Sequence, residues 1–159
     1  MTTWVRLKLL EIYMSKNMTI VLITGGFDPI HSGHIAYIAA ARSHGTYLIV
    51  GVNSDAWLVR KKGKSFLPFN ERATIIKHIK GVDEVIEFND DDGSAKDAIH
   101  KVRMMYPDAH IIFANGGDRN GKNIPEMDYH DNNLSFMFGV GGEDKKNSSS
   151  WILNNWQKD

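Results

Sequence analysis

Cysteine is absent from all 159 residues. Its absence excludes a disulfide framework, a thiolate nucleophile and every cysteine-ligated zinc or iron–sulfur centre. Net charge is absent as well, since 19 Lys and Arg are matched by 19 Asp and Glu. That balance argues against attachment to nucleic acid or to an anionic membrane through bulk charge, and leaves open only a local basic cluster. No window approaches the roughly 18 uninterrupted apolar residues that a bilayer-crossing helix needs. Arg6, Lys8, Glu11 and Lys16 interrupt the apolar N-terminal stretch, and no small-residue cleavage site follows it, so no secretory signal is read. The expected compartment is the cytoplasm. The rest is ordinary for a folded protein, at 42% hydrophobic and 24% charged residues. One domain of this length buries roughly 68–70% of the surface its unfolded chain exposes and needs no staples.

Thr19 to Thr24 (TIVLIT) is a short β-branched apolar run ending at Gly25-Gly26, the pattern of a buried parallel strand. From Ser32 to His44 the period becomes helical, with Ile35, Ile38, Ala39 and Arg42 on one face and Gly45 as the stop. Thr46 to Asn53 is a second buried strand, and Arg60 to Ser65 reads as a basic, glycine-containing loop. Asn70 opens a helix with Ala73, Ile76 and Ile79 inward, which ends before Gly81. Glu84 to Phe88 is a third strand. Ser94 and Asp97 have capping-box spacing and predict a helix to about Tyr106, closed by Pro107. His110 to Ala114 is a fourth strand running into Gly116-Gly117. Asp118 to Asn133 reads as irregular, Leu134 to Val140 as a fifth strand and Ser149 to Gln157 as a last helix.

This alternation predicts an α/β fold, a doubly wound sheet of about five parallel strands built from βαβ units. Ligands of such sheets sit beyond the carboxyl ends of the strands, where the strand order reverses. Two strands end there in Gly-Gly, which points to those loops first.

The segment Thr24 to His34 reads TGGFDPIHSGH. It lacks the closing Gly-Lys-Ser/Thr of a P-loop and the GxGxxG spacing of a dinucleotide site. It places His31 and His34 three residues apart at a helix start, on one face. Gly33 between them removes a side chain where an anion would approach, and the helix start supplies N–H groups and a positive dipole end. These features describe a pocket for a phosphate whose charge grows during reaction, with imidazoles as hydrogen-bond donors. In a chain with seven histidines an i, i+3 pair alone is weak, and a metal site from His31, His34 and Asp28 is the alternative. The strand–Gly-Gly–loop–helix setting favours phosphate.

The string GGFDPIHSGH resembles the signature of the nucleotidylyltransferase superfamily, in its cytidylyltransferase-like branch. It is similar to glycerol-3-phosphate cytidylyltransferases and to the adenylyltransferases that activate heptose phosphates. The likeness continues in order through VGVNSDAW, the KKGK loop, FNERATIIKHIKGVDEVIEF, ANGGD and KNSSSWIL. It covers residues 18–159 as one nucleotidylyltransferase domain and leaves residues 1–17 as an N-terminal extension. A Rossmann-like fold is implied, with transfer of CMP or AMP from CTP or ATP to a phosphorylated sugar or polyol. The acceptor phosphate attacks the α-phosphorus in line and pyrophosphate leaves, without a covalent enzyme intermediate. The resemblance further implies Mg²⁺ bound with the nucleotide, no dedicated protein metal site, and a homodimer.

Residue by residue, the resemblance implies that His31 and His34 hold the α- and β-phosphate oxygens. Thr24, Gly25, Gly26, Phe27 and Gly33 face the triphosphate, and Gly116, Gly117 and Asp118 face the base and ribose. Ser148, Ser149 and Ser150 start the last helix toward the outer phosphates; a plain N-cap needs only one of them. One of Lys61, Lys62 and Lys64 reaches over the phosphates, and the sequence does not say which. Asp55 and Arg72 fall on the acceptor side; otherwise they are a helix-cap residue and a surface ion-pair partner. The alternative to catalysis is a nucleotide-binding or sensor protein of the same fold. A metal-dependent hydrolase would want clustered carboxylates that are not found near the histidines.

Some departures bear on the acceptor. Lys145 and Lys146 stand where some relatives carry an arginine, and lysine lacks the bidentate fork. Lys80 stands where the glycerol-phosphate enzymes have arginine, which counts against glycerol 3-phosphate. In the extension, Trp4, Val5, Leu7, Leu9, Leu10 and Ile12 form an apolar stretch suited to a dimer partner.

Overall fold

A computed structural model describes residues 1–142 and 148–158. Five strands, β1 (Thr19–Gly25), β2 (Tyr47–Val52), β3 (Glu84–Glu87), β4 (His110–Ala114) and β5 (Leu134–Met137), form one sheet in the order β3-β2-β1-β4-β5. Every pair is parallel, with Leu22 opposite Ile49 on one side of β1 and Phe113 on the other. Strand β1 is central because it can be buried on both faces: Ile20, Val21, Leu22 and Ile23 are all fully buried. Each such side chain contributes about 1.5–3 kcal/mol on burial.

The pleat sends alternate residues of β1 to opposite cores. Ile20 and Leu22 join Ile99 and Val102 of α5 (Lys96–Met105) on one face. Val21 and Ile23 join Ile38 and Ala41 of α2 (Ser32–Arg42) and Ile76 of α4 (Phe69–Lys77) on the other. Helices on both faces make the sheet doubly wound. Its order reverses between β1 and β4, which places the crevice between the carboxyl ends of those two strands.

Several expectations are corrected. Arg60 to Lys62 lie not in a loop but in the last turn of α3 (Asp55–Lys62). Ser54 caps that helix by accepting from the Trp57 N–H at 3.0 Å, and Gly63 ends it at φ 89°, a left-handed conformation that suits glycine. Its basic last turn suits the negative end of the helix dipole. Ser94 and Asp97 do not form a capping box: the Ser94 hydroxyl donates to Asp92, and the Asp97 carboxylate accepts from the Asn89 N–H at 2.6 Å. Strand β5 stops at Met137, three residues early, and the irregular stretch after Asp118 contains a 3-10 turn at Pro125–Asp128. The last helix, α6, covers Ser149–Trp156. Lys145 and Lys146 lie outside the described residues. No helix among those described is long and apolar enough to cross a membrane.

The N-terminal stretch forms α1 (Thr3–Lys16), capped by the Thr2 hydroxyl, and none of its residues is buried. Trp4, Leu7, Leu10 and Tyr13 remain exposed. At concentrations where the chain is monomeric, one lacking residues 1–16 is therefore expected to keep its urea unfolding midpoint within experimental error; a marked drop there would show that α1 packs on the domain.

Candidate active site

The β1–α2 loop is built to aim two imidazoles. His31 occupies the N-cap of α2 in an extended conformation, where its Nδ1 accepts from the Gly33 N–H at 3.0 Å. The His31 N–H in turn donates to Nδ1 of His34 at 3.2 Å. The two residues thus cap the helix reciprocally, as Ser and Glu do in an ordinary capping box. Their rings stack at 3.9 Å between centroids. Because each Nδ1 accepts an N–H, the proton of each neutral ring must sit on Nε2, which leaves Nε2–H as the donor.

Burial, followed by the charges of His31 and Lys62, lowers the His34 pKa from 6.5 to about 4. His34 is therefore a neutral donor near pH 7. Phe27 backs it edge-on at 5.1 Å, buried and held at φ 51°, a strained conformation for a non-glycine residue. Asp28, the carboxylate of the alternative metal site, accepts the Phe66 and Leu67 N–H groups, both at 2.7 Å.

Around the switch point lies a cleft of about 600 Å³. It brings together Thr24, Gly25, Gly26, His31, Gly33, His34, Lys61, Gly116, Gly117, Asp118, Ser148 and Ser149, as the sequence reading grouped them. Gly116 lies close under Tyr37, since a Cβ there would sit 3.1 Å from its ring, and Gly117 has φ 65°. Ser148 is the α6 cap, accepting from the Trp151 N–H at 3.1 Å. The Ser149 hydroxyl donates to the Pro29 carbonyl at 2.8 Å and so pins that helix start to the histidine loop.

Other candidates are not brought to the cleft. Phe27 is packed behind it, and Ser150 is exposed. The three lysines separate by direction. Lys61 lines the cleft with its ammonium 4.4 Å over the Trp57 ring. Lys62 turns back to donate to the Asp28 carbonyl, and burial holds its pKa below the ordinary range. Lys64 is exposed beyond Gly63. Arg72 is no surface partner: it is 1% exposed. It donates to the carbonyls of Leu67 (2.9 Å), Gly26 (2.8 Å) and Asn53 (2.8 Å), and to the Asp55 carboxylate. Asp55 and Arg72 thus meet each other rather than the cleft lining.

Tyr37, Asn53, Trp57, Ser94, Asn115, Arg119, Glu126 and Gly141-Gly142 also line the cleft and were not foreseen. The third Gly-Gly after a strand was a usable signal for residues 141–142. Asn53 and Trp57 lie in the VGVNSDAW string and Asn115 in ANGGD, within the likeness already noted, whereas Tyr37, Ser94, Arg119 and Glu126 carry no local pattern.

The doubly wound sheet, with a histidine-capped cleft at its switch point, defines a Rossmann-like α/β domain. The cytidylyltransferase-like family pattern matches residues 22–129. The chain belongs to that family. Among curated proteins it is similar to the bifunctional protein HldE of Sulfurimonas denitrificans, 36% identical over 115 residues that cover 70% of this chain and 22% of the relative. It is likewise similar to HldE of Campylobacter curvus, 39% identical over 69% of this chain and 22% of the relative. HldE of Aliarcobacter butzleri is 32% identical, with 86% and 27% covered. The chain thus spans about a quarter of the length of these relatives. Among solved structures, the lipopolysaccharide core biosynthesis protein from Thermoplasma volcanium superposes with TM-score 0.56 at 25% identity, covering 76% of this chain and 95% of that one.

Two outcomes follow from the buried groups. Arg72→Ala leaves three backbone carbonyls without their donor and should cost roughly 3 kcal/mol in urea unfolding; Arg72→Lys should not restore it, because one ammonium cannot reproduce the fork. For His34, the unfolded chain binds the extra proton between about 4 and 6.5. Its contribution is present in full above that window, and stability falls as the pH is lowered through it. The carboxylates held low, Asp90 by hydrogen bonds that outweigh its burial, Asp92 by the Ser94 N–H and hydroxyl, and Asp131 by Arg103, titrate below 3.8, outside the window. His34→Gln should flatten the slope of unfolding free energy against pH in that window.

Proposed function

We propose that this domain transfers a nucleoside monophosphate, AMP in preference to CMP, from an NTP–magnesium complex to a sugar phosphate and releases pyrophosphate. The observation that carries this reading is the reciprocal cap of His31 and His34, which leaves Nε2 of each ring as the donor at the start of α2 in the cleft. The preference for AMP and a sugar phosphate rests on the relatives: HldE is a heptose-7-phosphate kinase and heptose-1-phosphate adenylyltransferase. Of the two HldE activities, the cytidylyltransferase-like family match supports the transferase for this domain.

In this mechanism an oxygen of the acceptor phosphate forms a bond to the α-phosphorus while the bond from that phosphorus to the β-bridging oxygen breaks. The electron pair leaves with pyrophosphate and no protein nucleophile is needed; Mg²⁺ bound with the nucleotide would supply neutralising charge to the phosphates. His31 and His34 donate to α- and β-phosphate oxygens whose charge grows in the transition state. Lys61 adds a cation over the leaving group. The starts of α2 and α6, with Gly33 leaving room between the histidines, face the outer phosphates with the positive ends of their helix dipoles. Gly116, Gly117 and Asp118 take the base and ribose. Arg72 and Asp55 act from behind, by fixing the loops at Gly26 and Asn53. A homodimer belongs to the same proposal, with the exposed apolar residues of α1 as the surface a second copy covers.

The decisive measurement is pyrophosphate release with Mg²⁺, crossing ATP and CTP against heptose, hexose and polyol phosphates. Turnover should require one nucleotide and one acceptor. His34→Ala should lower kcat about 10²–10³-fold while nucleotide affinity changes only a few-fold. Equal losses in both would make His34 a binding residue, and nucleotide binding with silence across the panel would favour a sensor protein. Lys61→Ala should lower kcat more than Lys64→Ala.

A further inference from the structure

Two residues of the cleft lining carry buried polar atoms that the transferase reading leaves unused. Glu126, on the 3-10 turn, is 3% exposed. Its Oε1 accepts from the Ala95 N–H at 2.6 Å, and its Oε2 is buried with no hydrogen-bond partner in the protein. Asn115, at the end of β4, is 5% exposed. Its backbone is engaged at both ends, by Met137 and Val140, whereas its side-chain Nδ2 is buried and unpartnered. Among the described residues only three buried side-chain atoms lack a partner, and these two line the same cleft. Burying such atoms is costly enough that native proteins rarely do so without a purpose at that spot.

Their position selects what they face. Ala95 and Ile124 belong to the core on the α5 face of the sheet, whereas Tyr37 and Ile38 of the histidine helix belong to the opposite core. Glu126 therefore stands on the wall across the cleft from His31 and His34, with Asn115 between the two walls. An in-line displacement needs the attacking group and the leaving pyrophosphate on opposite sides of the α-phosphorus. With pyrophosphate held by α2 and α6, the acceptor approaches from the Glu126 wall. A carboxylate there repels the acceptor's phosphate and turns it toward the histidines. What it welcomes is a hydroxyl, which donates to Oε2 and accepts from Nδ2 of Asn115.

We propose that Glu126 and Asn115 form a hydroxyl-reading subsite that binds the polyol part of the phosphorylated acceptor and selects it over less hydroxylated phosphates. The inference rests on the transferase reading for its geometry. It can fail separately from that reading.

Glu126→Gln is the test. The amide oxygen can still accept from the Ala95 N–H, so the fold is kept, while an NH₂ donor replaces the acceptor facing the cleft. Kinetics with a heptose 1-phosphate should show the acceptor KM raised about 10-fold or more, with the NTP KM within about two-fold. The wild type should discriminate against a deoxy analogue lacking the bound hydroxyl, and Glu126→Gln should lose that discrimination. Asn115→Ala, checked for an unchanged thermal midpoint, should shift the same constant in the same direction and serves if the first variant does not fold. A rise in NTP KM with the acceptor KM unchanged would overturn the proposal and give these residues to the nucleotide. No change in either constant would overturn it as well. Calorimetric binding of the heptose 1-phosphate, in the presence of Mg²⁺ and a non-hydrolysable NTP analogue, separates the two readings. Binding that is lost in Glu126→Gln, without wild-type turnover, upholds the subsite and sinks the transferase. No binding by the wild type overturns the subsite.

Discussion

The site depends on one buried guanidinium. Arg72, carried by α4, donates to the carbonyls of Gly26 at the exit of β1, Asn53 at the exit of β2, and Leu67 before its own helix. Three chain segments that leave the sheet side by side are thereby fixed relative to one another. Planar geometry is what allows it: a fork of five fixed donors can satisfy several carbonyls at once, which a point charge cannot. Asp28 extends the same frame by gripping the N–H groups of Phe66 and Leu67. The loop that presents the histidines is therefore braced from below before any ligand arrives.

On that frame, charge is used sparingly. Burial keeps His34 uncharged near neutrality, so in the proposed reaction the pair would meet a phosphate without two adjacent cations, which would repel each other. Positive charge enters at the margin, from Lys61 over Trp57 and from the ends of helices. Donors already fixed in direction cost no reorganisation as phosphate charge builds, and that suits positioning chemistry better than tight binding of the ground state. The opposite wall, with its carboxylate and amide, has the reverse character. The two sides of the cleft thus differ in sign as well as in the core they stand on.

Much of this was legible in the sequence. The β-branched run of β1, its Gly-Gly exit, the helical period after Ser32 and the i, i+3 histidines all act over a few residues, where propensity and spacing are enough. The strand alternation likewise predicted a doubly wound parallel sheet, and the sheet has that form. The misreadings arose where tertiary partners overrode a local pattern. Asp97 has capping-box spacing from Ser94, yet its carboxylate is taken by Asn89 across the turn. The lysines looked like a loop because three basic residues and a glycine dominate the string, although Ser54 and the helix-forming residues after it extend α3 through them.

The sequence by itself determined where a Gly-Gly strand exit and two imidazoles meet a helix start, because those features are written within single turns of helix and single strands. Only the tertiary structure decided which way each polar group faces. Arg72 turns inward to a carbonyl 46 residues away, and Glu126 reaches an N–H 31 residues away. Those distances are closed by the order of strands in the sheet. A side chain's partner at that range is set by which strands become neighbours, and no local periodicity encodes it.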